Sequence, residues 1–181
     1  MGKIAIIISF RNFRDEEYFI PKDIFLGAGF EVITVSSQKG TAIGGSGGEA
    51  EIDITFDEID ISQLDAVVFV GGPGAYKYID DEQVLEIIRK ANQQGKLLAA
   101  ICIAPAIFAH AGVLRGKRAT VWSSIMDKKP IKVLQENGAE YLDKSVVCDG
   151  NIITANGPYS AEEFGKSIVQ HLTNNPKSVI I

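Results

Sequence analysis

Cysteine and histidine are scarce in this sequence, with two of each among 181 residues. Two thiols, Cys102 and Cys148, do not form a disulfide framework at this length, so the chain reads as cytoplasmic with both reduced. Positive charge is also short: Lys and Arg number 18 against 23 Asp and Glu, a net charge of −5. That balance argues against nucleic acid or an anionic membrane as partner, since both call for a basic surface. No apolar stretch approaches the ~20 residues of a membrane span. The opening MGKIAIIISF reads as a first strand and not a signal peptide, because no small-residue cleavage site follows. Ile6 stands where a myristoylation pattern needs Ser or Thr. The acids form no array with His or Cys that would hold a metal. The glycine clusters match neither a Walker loop nor G-x-G-x-x-G after a strand. Neither a metal nor a cofactor is therefore expected.

What is present is apolar material in regular pieces. Hydrophobic residues make up 46% of the chain, enough for a substantial core in one domain. Continuous apolar runs, KIAIIIS, DAVVFVGG and KLLAAI, suit strands buried on both faces. They alternate with helical stretches: DEEYFIPKDIFLGAGF, disturbed by Pro21, then DDEQVLEIIRKANQQGK, KKPIKVLQENGA and SAEEFGKSIVQHLTNN. GTAIGGSGGEAEIDITF predicts a hairpin excursion, KRATVW a short strand, and SVVCDGNIITAN two strand pieces about a turn. The pattern predicts an α/β fold with a doubly wound, mainly parallel sheet and helices on both faces. Sites in such folds lie outside the carboxyl ends of the strands. Four loops would share that rim: RNFRDEE, GGPGA, the neighbourhood of Cys102, and NGPYS.

Cys102 ends an apolar run where a helix starts. Unpaired amides and the helix dipole there stabilise a thiolate and lower a cysteine pKa below its usual ~8.5. A sharp strand–turn–helix junction also projects a nucleophile outward. The alternative is a small, inert, buried hydrophobe. GGPGA would let the Gly72 and Ile103 N–H groups bind an oxyanion, or it is simply a tight turn. Either Glu16 or Glu17 could face the thiol, and it would then have to carry a proton, since two negative charges side by side repel. His110 lies eight residues past Cys102, about 12 Å along a helix at ~1.5 Å per residue, too far to act as its base. His171 reads as a surface residue, and Cys148, in a strand pattern, as inert.

Together these residues resemble the ThiJ/PfpI family. The matching pieces are Glu17 four residues before Pro21 in EEYFIP, then VFVGGPGA, KLLAAICIAPAIFAHAGVLRGKRAT and ITANGPYSAEEF, in the family's order. The resemblance implies one domain over residues 1–174, with a C-terminal tail at 175–181. It also implies a flavodoxin-like sheet, Cys102 at a nucleophile elbow, a protonated Glu17 beside the sulfur, and oxyanion amides from Gly72 and Ile103. Family members are commonly dimers, so a homodimer is expected. Peptidase-like members carry histidine directly after the nucleophile, where this chain has Ile103. Deglycase-like members carry one downstream, where Trp122 stands, and an arginine near the site where Asn156 stands. Trp122 and Asn156 are accordingly the candidate substrate-binding residues. The leading expectation is a cofactor-independent glyoxalase or deglycase acting on methylglyoxal-like dicarbonyls or glycated adducts. The rival is a non-catalytic redox sensor or chaperone-like stress protein that uses oxidation of the same cysteine. A cysteine peptidase or amidase ranks third.

Overall fold

A computed structural model describes residues 2–174; the expected tail at 175–181 lies outside the described residues. The first strand, β1 (Lys3–Ile7), shows how the sheet is built. Ile4, Ile6 and the following Ile8 pack into one core, and Ala5 and Ile7 into another, because successive side chains of a strand leave on opposite faces. A strand buried on both faces reads as an unbroken apolar run, and so do β7 (Ala66–Phe69) and β8 (Leu97–Ile101).

The other strands are β2 (Arg11–Phe13), β3 (Glu31–Ser36), β4 (Gly40–Gly44), β5 (Glu49–Ile52), β6 (Ile54–Thr55), β9 (Arg118–Ala119), β10 (Glu140–Tyr141), β11 (Val146–Asp149) and β12 (Ile152–Ala155). The main sheet has seven strands in the order β11-β12-β8-β7-β1-β3-β6. All its pairings are parallel except β11 with β12, the expected hairpin about the Asp149–Gly150 turn. The helices are α1 (Asp15–Gly27), α2 (Glu82–Gln93), α3 (Ala104–Ala111), α4 (Lys129–Glu136) and α5 (Ala161–Asn174). Helices α1 and α5 cover one face through Tyr18, Phe25, Phe164 and Ile168. Helices α2, α3 and α4 cover the other, with Val84, Ile88, Ile107, Phe108 and Leu134 buried there. The doubly wound α/β architecture is therefore as expected.

Three local features differ from the sequence expectation. RNFRDEE is not simply a loop: β2 pairs with β4, which pairs with β5, in a separate three-stranded sheet. Burial of Phe13 and the bond from the Gly45 N–H to the Phe13 carbonyl (2.8 Å) hold it there. Pro21 sits inside α1 without ending it. It removes the bond the Glu17 carbonyl would have received from residue 21, but its position is fixed against α5, where Gly165 allows close approach. The KRATVW strand shrinks to the two residues of β9.

Candidate active site

Strand β8 carries the chain to the rim and leaves Cys102 to make the turn into α3. Its φ is +65°, in the left-handed region, where a side chain costs about 1–3 kcal/mol of backbone strain. The strain is held in place by bonds on either side. The Cys102 N–H donates to the Ala155 carbonyl (2.9 Å), and the Cys102 carbonyl accepts from the Trp122 N–H (2.8 Å). Ile103 then opens α3, with Pro105 in its first turn. The Cys102 side chain is half-buried and packs against two core clusters at the rim.

The glycines after β7 are required by what surrounds them. A Cβ at Gly71 would lie 2.6 Å from the Cys102 Cβ and 2.9 Å from Glu17 Oε2. Gly72 has φ +100°, and a Cβ there would meet the Arg14 nitrogen at 2.6 Å. The segment therefore lets the backbone pass close to Cys102 on one side and to β2 on the other. The N–H groups of Gly72 and Ile103 both act on the Cys102 sulfur, favouring its charged form.

Of the two acids in the first turn of α1, Glu17 faces inward and Glu16 outward. Glu17 is fully buried, and its Oε2 accepts from the Gly71 N–H at 3.0 Å. Its Oε1 has no hydrogen-bond partner, and the carboxyl interacts with the Cys102 thiol. Glu16 instead pairs with Arg14 (2.9 Å). The register of α1 thus selects Glu17, the residue that the family resemblance singles out.

Burial dominates the titration of the pair. It pushes the Cys102 thiol up to about 12; the neighbouring Glu17 charge adds to the rise, and the Gly72 and Ile103 amides oppose it. This differs from the low thiol pKa expected from a helix start. The amides are present, but loss of water outweighs them. Burial likewise raises Glu17 to about 7, against the Gly71 N–H, the Cys102 contact and the Arg14 charge. Groups this close titrate as a unit. From about pH 7 to about pH 12 they hold one proton between them. The form able to attack has that proton on the carboxyl and the charge on sulfur.

The pair sits at a cavity of about 840 Å3 bordered by all four expected rim segments, through Arg14, Gly72, Cys102 with Ile103, and Asn156 to Ser160. Trp122 and Asn156, the candidate substrate-binding residues, border it. Asn156 is held by its N–H on the Ser145 carbonyl (3.0 Å) and by the Ser160 hydroxyl, which donates to its Oδ1 (2.7 Å). Sequence reasoning missed Arg14, Tyr76 and Tyr159, which border the same cavity. Tyr76 and Tyr159 lie in short 3-10 turns, Pro73–Tyr78 and Pro158–Ser160, that follow β7 and β12. Their place beyond strand ends was the available signal.

No histidine borders this cavity among the described residues. His110 pairs with Asp80 (3.4 Å), and His171 borders a separate cavity beside Gly2 and Asn151. Cys148 is exposed on β11. Among the described residues there is no cluster of His, Cys, Asp and Glu able to hold a metal ion. None of the described helices is long and apolar enough to cross a membrane.

The sequence profile of the DJ-1/PfpI family matches residues 2–171. The chain belongs to the DJ-1/PfpI family. Among its relatives in that family, Deglycase PfpI of Pyrococcus furiosus is 34% identical over 84% of this chain and 89% of its own length. Protein/nucleic acid deglycase 2 of Escherichia coli is 33% identical over 94% of this chain and 97% of its own. The crystal structure of a ThiJ/PfpI domain protein from Brachyspira murdochii superposes with a TM-score of 0.90 at 35% identity, covering 95% of this chain and 96% of that one. The mainly parallel sheet flanked by helices is thus the fold of DJ-1/PfpI proteins.

Proposed function

We propose that this DJ-1/PfpI protein is a cofactor-independent glyoxalase or deglycase that acts on methylglyoxal-like dicarbonyls or their adducts through Cys102. The observation that carries the reading is the buried Glu17 carboxyl against the Cys102 thiol, with the Gly72 and Ile103 amides on the same sulfur. Relatives named deglycases support it. In the one-proton state, the thiolate adds to the aldehyde carbon and forms a C–S bond. The aldehyde oxygen gains the negative charge, and the two amides, released from the sulfur, stabilise it. It then takes the Glu17 proton. The Glu17 carboxylate next removes the proton from the former aldehyde carbon, giving an enediolate charged on the second carbonyl oxygen, and returns that proton to the adjacent carbon. Transfer of the hydroxyl proton to the charged neighbouring oxygen leaves a thioester of the hydroxy acid, which water cleaves to regenerate the thiol. The net change is dicarbonyl plus water to hydroxy acid, with no oxidant or reductant. On an adduct, the same attack would release the amine or thiol. A cytoplasmic homodimer without metal or cofactor, independent of nucleic acid and membrane, goes with this reading.

The test is direct measurement of hydroxy acid from methylglyoxal without glutathione, under reducing conditions. Many turnovers are expected from wild type and none from Cys102→Ala. Aldehyde loss alone does not suffice, because any exposed thiol forms a reversible hemithioacetal.

One observation favours a second reading: both amides act on the sulfur itself. Peroxide would oxidise such a thiol to the sulfenic and then the sulfinic acid, with each peroxide reduced to water. The amides and the Glu17 carboxyl would hold the new oxygens. No product above the Cys102→Ala background, together with a stable sulfinate at Cys102 after mild peroxide, would put this sensor reading in place of the enzyme. A peptidase is the weakest of the three, because no histidine borders the cavity among the described residues.

A further inference from the structure

The cavity over Cys102 is much larger than methylglyoxal requires. About 840 Å3 falls within the range of pockets that enclose a drug-sized ligand, and a three-carbon dicarbonyl would fill a small part of it. Its border is also unusual for this chain. Tyr76, Trp122 and Tyr159 line it, half of the protein's Trp and Tyr residues, with Tyr76 half-exposed and Tyr159 fully exposed at its edge. They come from three separate connections, after β7, β9 and β12. The backbone of Trp122 is tied to that of the nucleophile, because its main-chain N–H donates to the Cys102 carbonyl (2.8 Å). Burial raises the Tyr76 phenol above its ordinary range, and the Asp127 and Cys102 charges add to this, which places that ring within electrostatic reach of the sulfur.

The Asn156 side chain adds a free amide to this border. The Asn156 Oδ1 is taken by the Ser160 hydroxyl and its N–H by the Ser145 carbonyl, which leaves the Nδ2 donors free among the described residues. A free amide group in a border that also carries aromatic rings suits a ligand oxygen next to a flat apolar group. Aromatic faces gain both from burial of a ring and from ring–ring geometry. Binding energy gained away from the reacting carbon can be used to orient it.

We infer that the site selects α-oxoaldehydes whose second carbonyl carbon carries a planar ring, in preference to methylglyoxal. The ring lies against Trp122 and Tyr76, the aldehyde carbon meets the Cys102 sulfur, and the second carbonyl oxygen accepts from Asn156 Nδ2. This rests on the glyoxalase reading above for its chemistry but not for its binding geometry, so the two are separable by experiment.

The experiment compares kcat/KM for phenylglyoxal and methylglyoxal, followed as mandelate and lactate formed. Wild type is expected to prefer phenylglyoxal by about 10-fold or more, since even one methylene in an apolar pocket discriminates by about 10–200-fold. Trp122→Leu and Tyr76→Leu keep apolar bulk but remove the ring, and each should cost phenylglyoxal about 10-fold more than it costs methylglyoxal. A wild-type ratio near one, or equal losses for both substrates, overturns the inference. A second arm needs no turnover: acetophenone and acetone are titrated against folded Cys102→Ala protein by calorimetry. Acetophenone should bind more tightly, and Trp122→Leu in that background should weaken it. If neither dicarbonyl is turned over but this binding is seen, the glyoxalase reading falls and the ring site stands. If acetophenone does not bind, the ring site falls whatever the turnover. A second copy of the chain is the competing occupant of this border. If Tyr159→Ala weakens self-association in sedimentation while the substrate ratio stays near one, the rings serve an interface and the inference is wrong.

Discussion

Cys102 and Cys148 belong to one main sheet and differ in nearly everything that governs a thiol. Cys148 lies on the antiparallel edge strand, exposed, in ordinary extended backbone. Cys102 ends a central parallel strand at φ +65°, against a buried carboxyl and two amides. Burial raises both thiols above the usual range, and the neighbouring carboxylates Glu17 and Glu163 add to the respective rises. A raised pKa therefore does not tell them apart. The difference lies in whether the neighbouring acid can hold the proton in the thiol's place. Glu17 is buried and its carboxyl is raised to about 7, whereas Glu163 is an exposed partner of the Ser145 hydroxyl.

The largest expected effect tests that difference directly. Cys102→Ala should abolish hydroxy acid formation, and Cys148→Ala should leave it within about two-fold of wild type, as for a surface position remote from the site. Next, Glu17→Gln should slow turnover by about 10²–10⁴-fold, the usual contribution of a positioned acid–base. Wild-type rate should rise as pH passes about 7, where the pair loses its first proton. Rate measurements from pH 5 to 9 should show that limb in wild type and lose it in Glu17→Gln. Iodoacetamide labelling should show the same step at Cys102 and none at Cys148.

A smaller effect is on stability. The folded pKa of Glu17 is raised from 4.5 to about 7, so its neutral form is the one the fold accommodates. Its contribution is fully present below about pH 4.5 and is lost as pH rises through about 7. Glu17→Gln removes this loss. Denaturant unfolding should find the variant more stable than wild type at pH 8, by up to about 3 kcal/mol, and the two alike near pH 4. The smallest effect concerns backbone. Cys102→Gly should be more stable than Cys102→Ala by about 1 kcal/mol, because only glycine avoids the left-handed penalty. Cys148→Gly should be less stable than Cys148→Ala by about 0.5–1 kcal/mol, as glycine weakens a strand. Equal signs at the two positions would contradict the geometric contrast.

Much of this was readable in the chain. The buried strands declared themselves as unbroken apolar runs, and their alternation with capped helices implied the parallel sheet and the rim. Cys102 and the GGPGA segment were visible because strand ends and glycines are local signals. Other features depend on contacts that no local window contains. Strand β2 has three residues and no periodicity, and exists through pairing with β4, some thirty positions on. The inward turn of Glu17 over Glu16 follows from the register of α1 against the core, where Tyr18 and Phe25 anchor it. The high thiol pKa follows from depth of burial, which composition does not report. Tyr76 follows the GGPGA segment and Tyr159 lies within NGPYS, but neither was singled out, because an aromatic side chain beside a turn carries no chemical signal of its own.

The bonds that shape the site join distant parts of the chain: Gly71 to Glu17 across 54 residues, and Cys102 to Ala155 across a parallel strand pair. Parallel pairings of this kind form late, since the intervening chain must close first. A nascent or partly unfolded molecule thus carries Cys102 as an ordinary thiol, without its carboxyl, its amides or its strained turn. The raised thiol pKa at this position is acquired only with completion of the sheet, so the slowing of the reaction of Cys102 with an electrophile doubles as a clock for the last stage of folding.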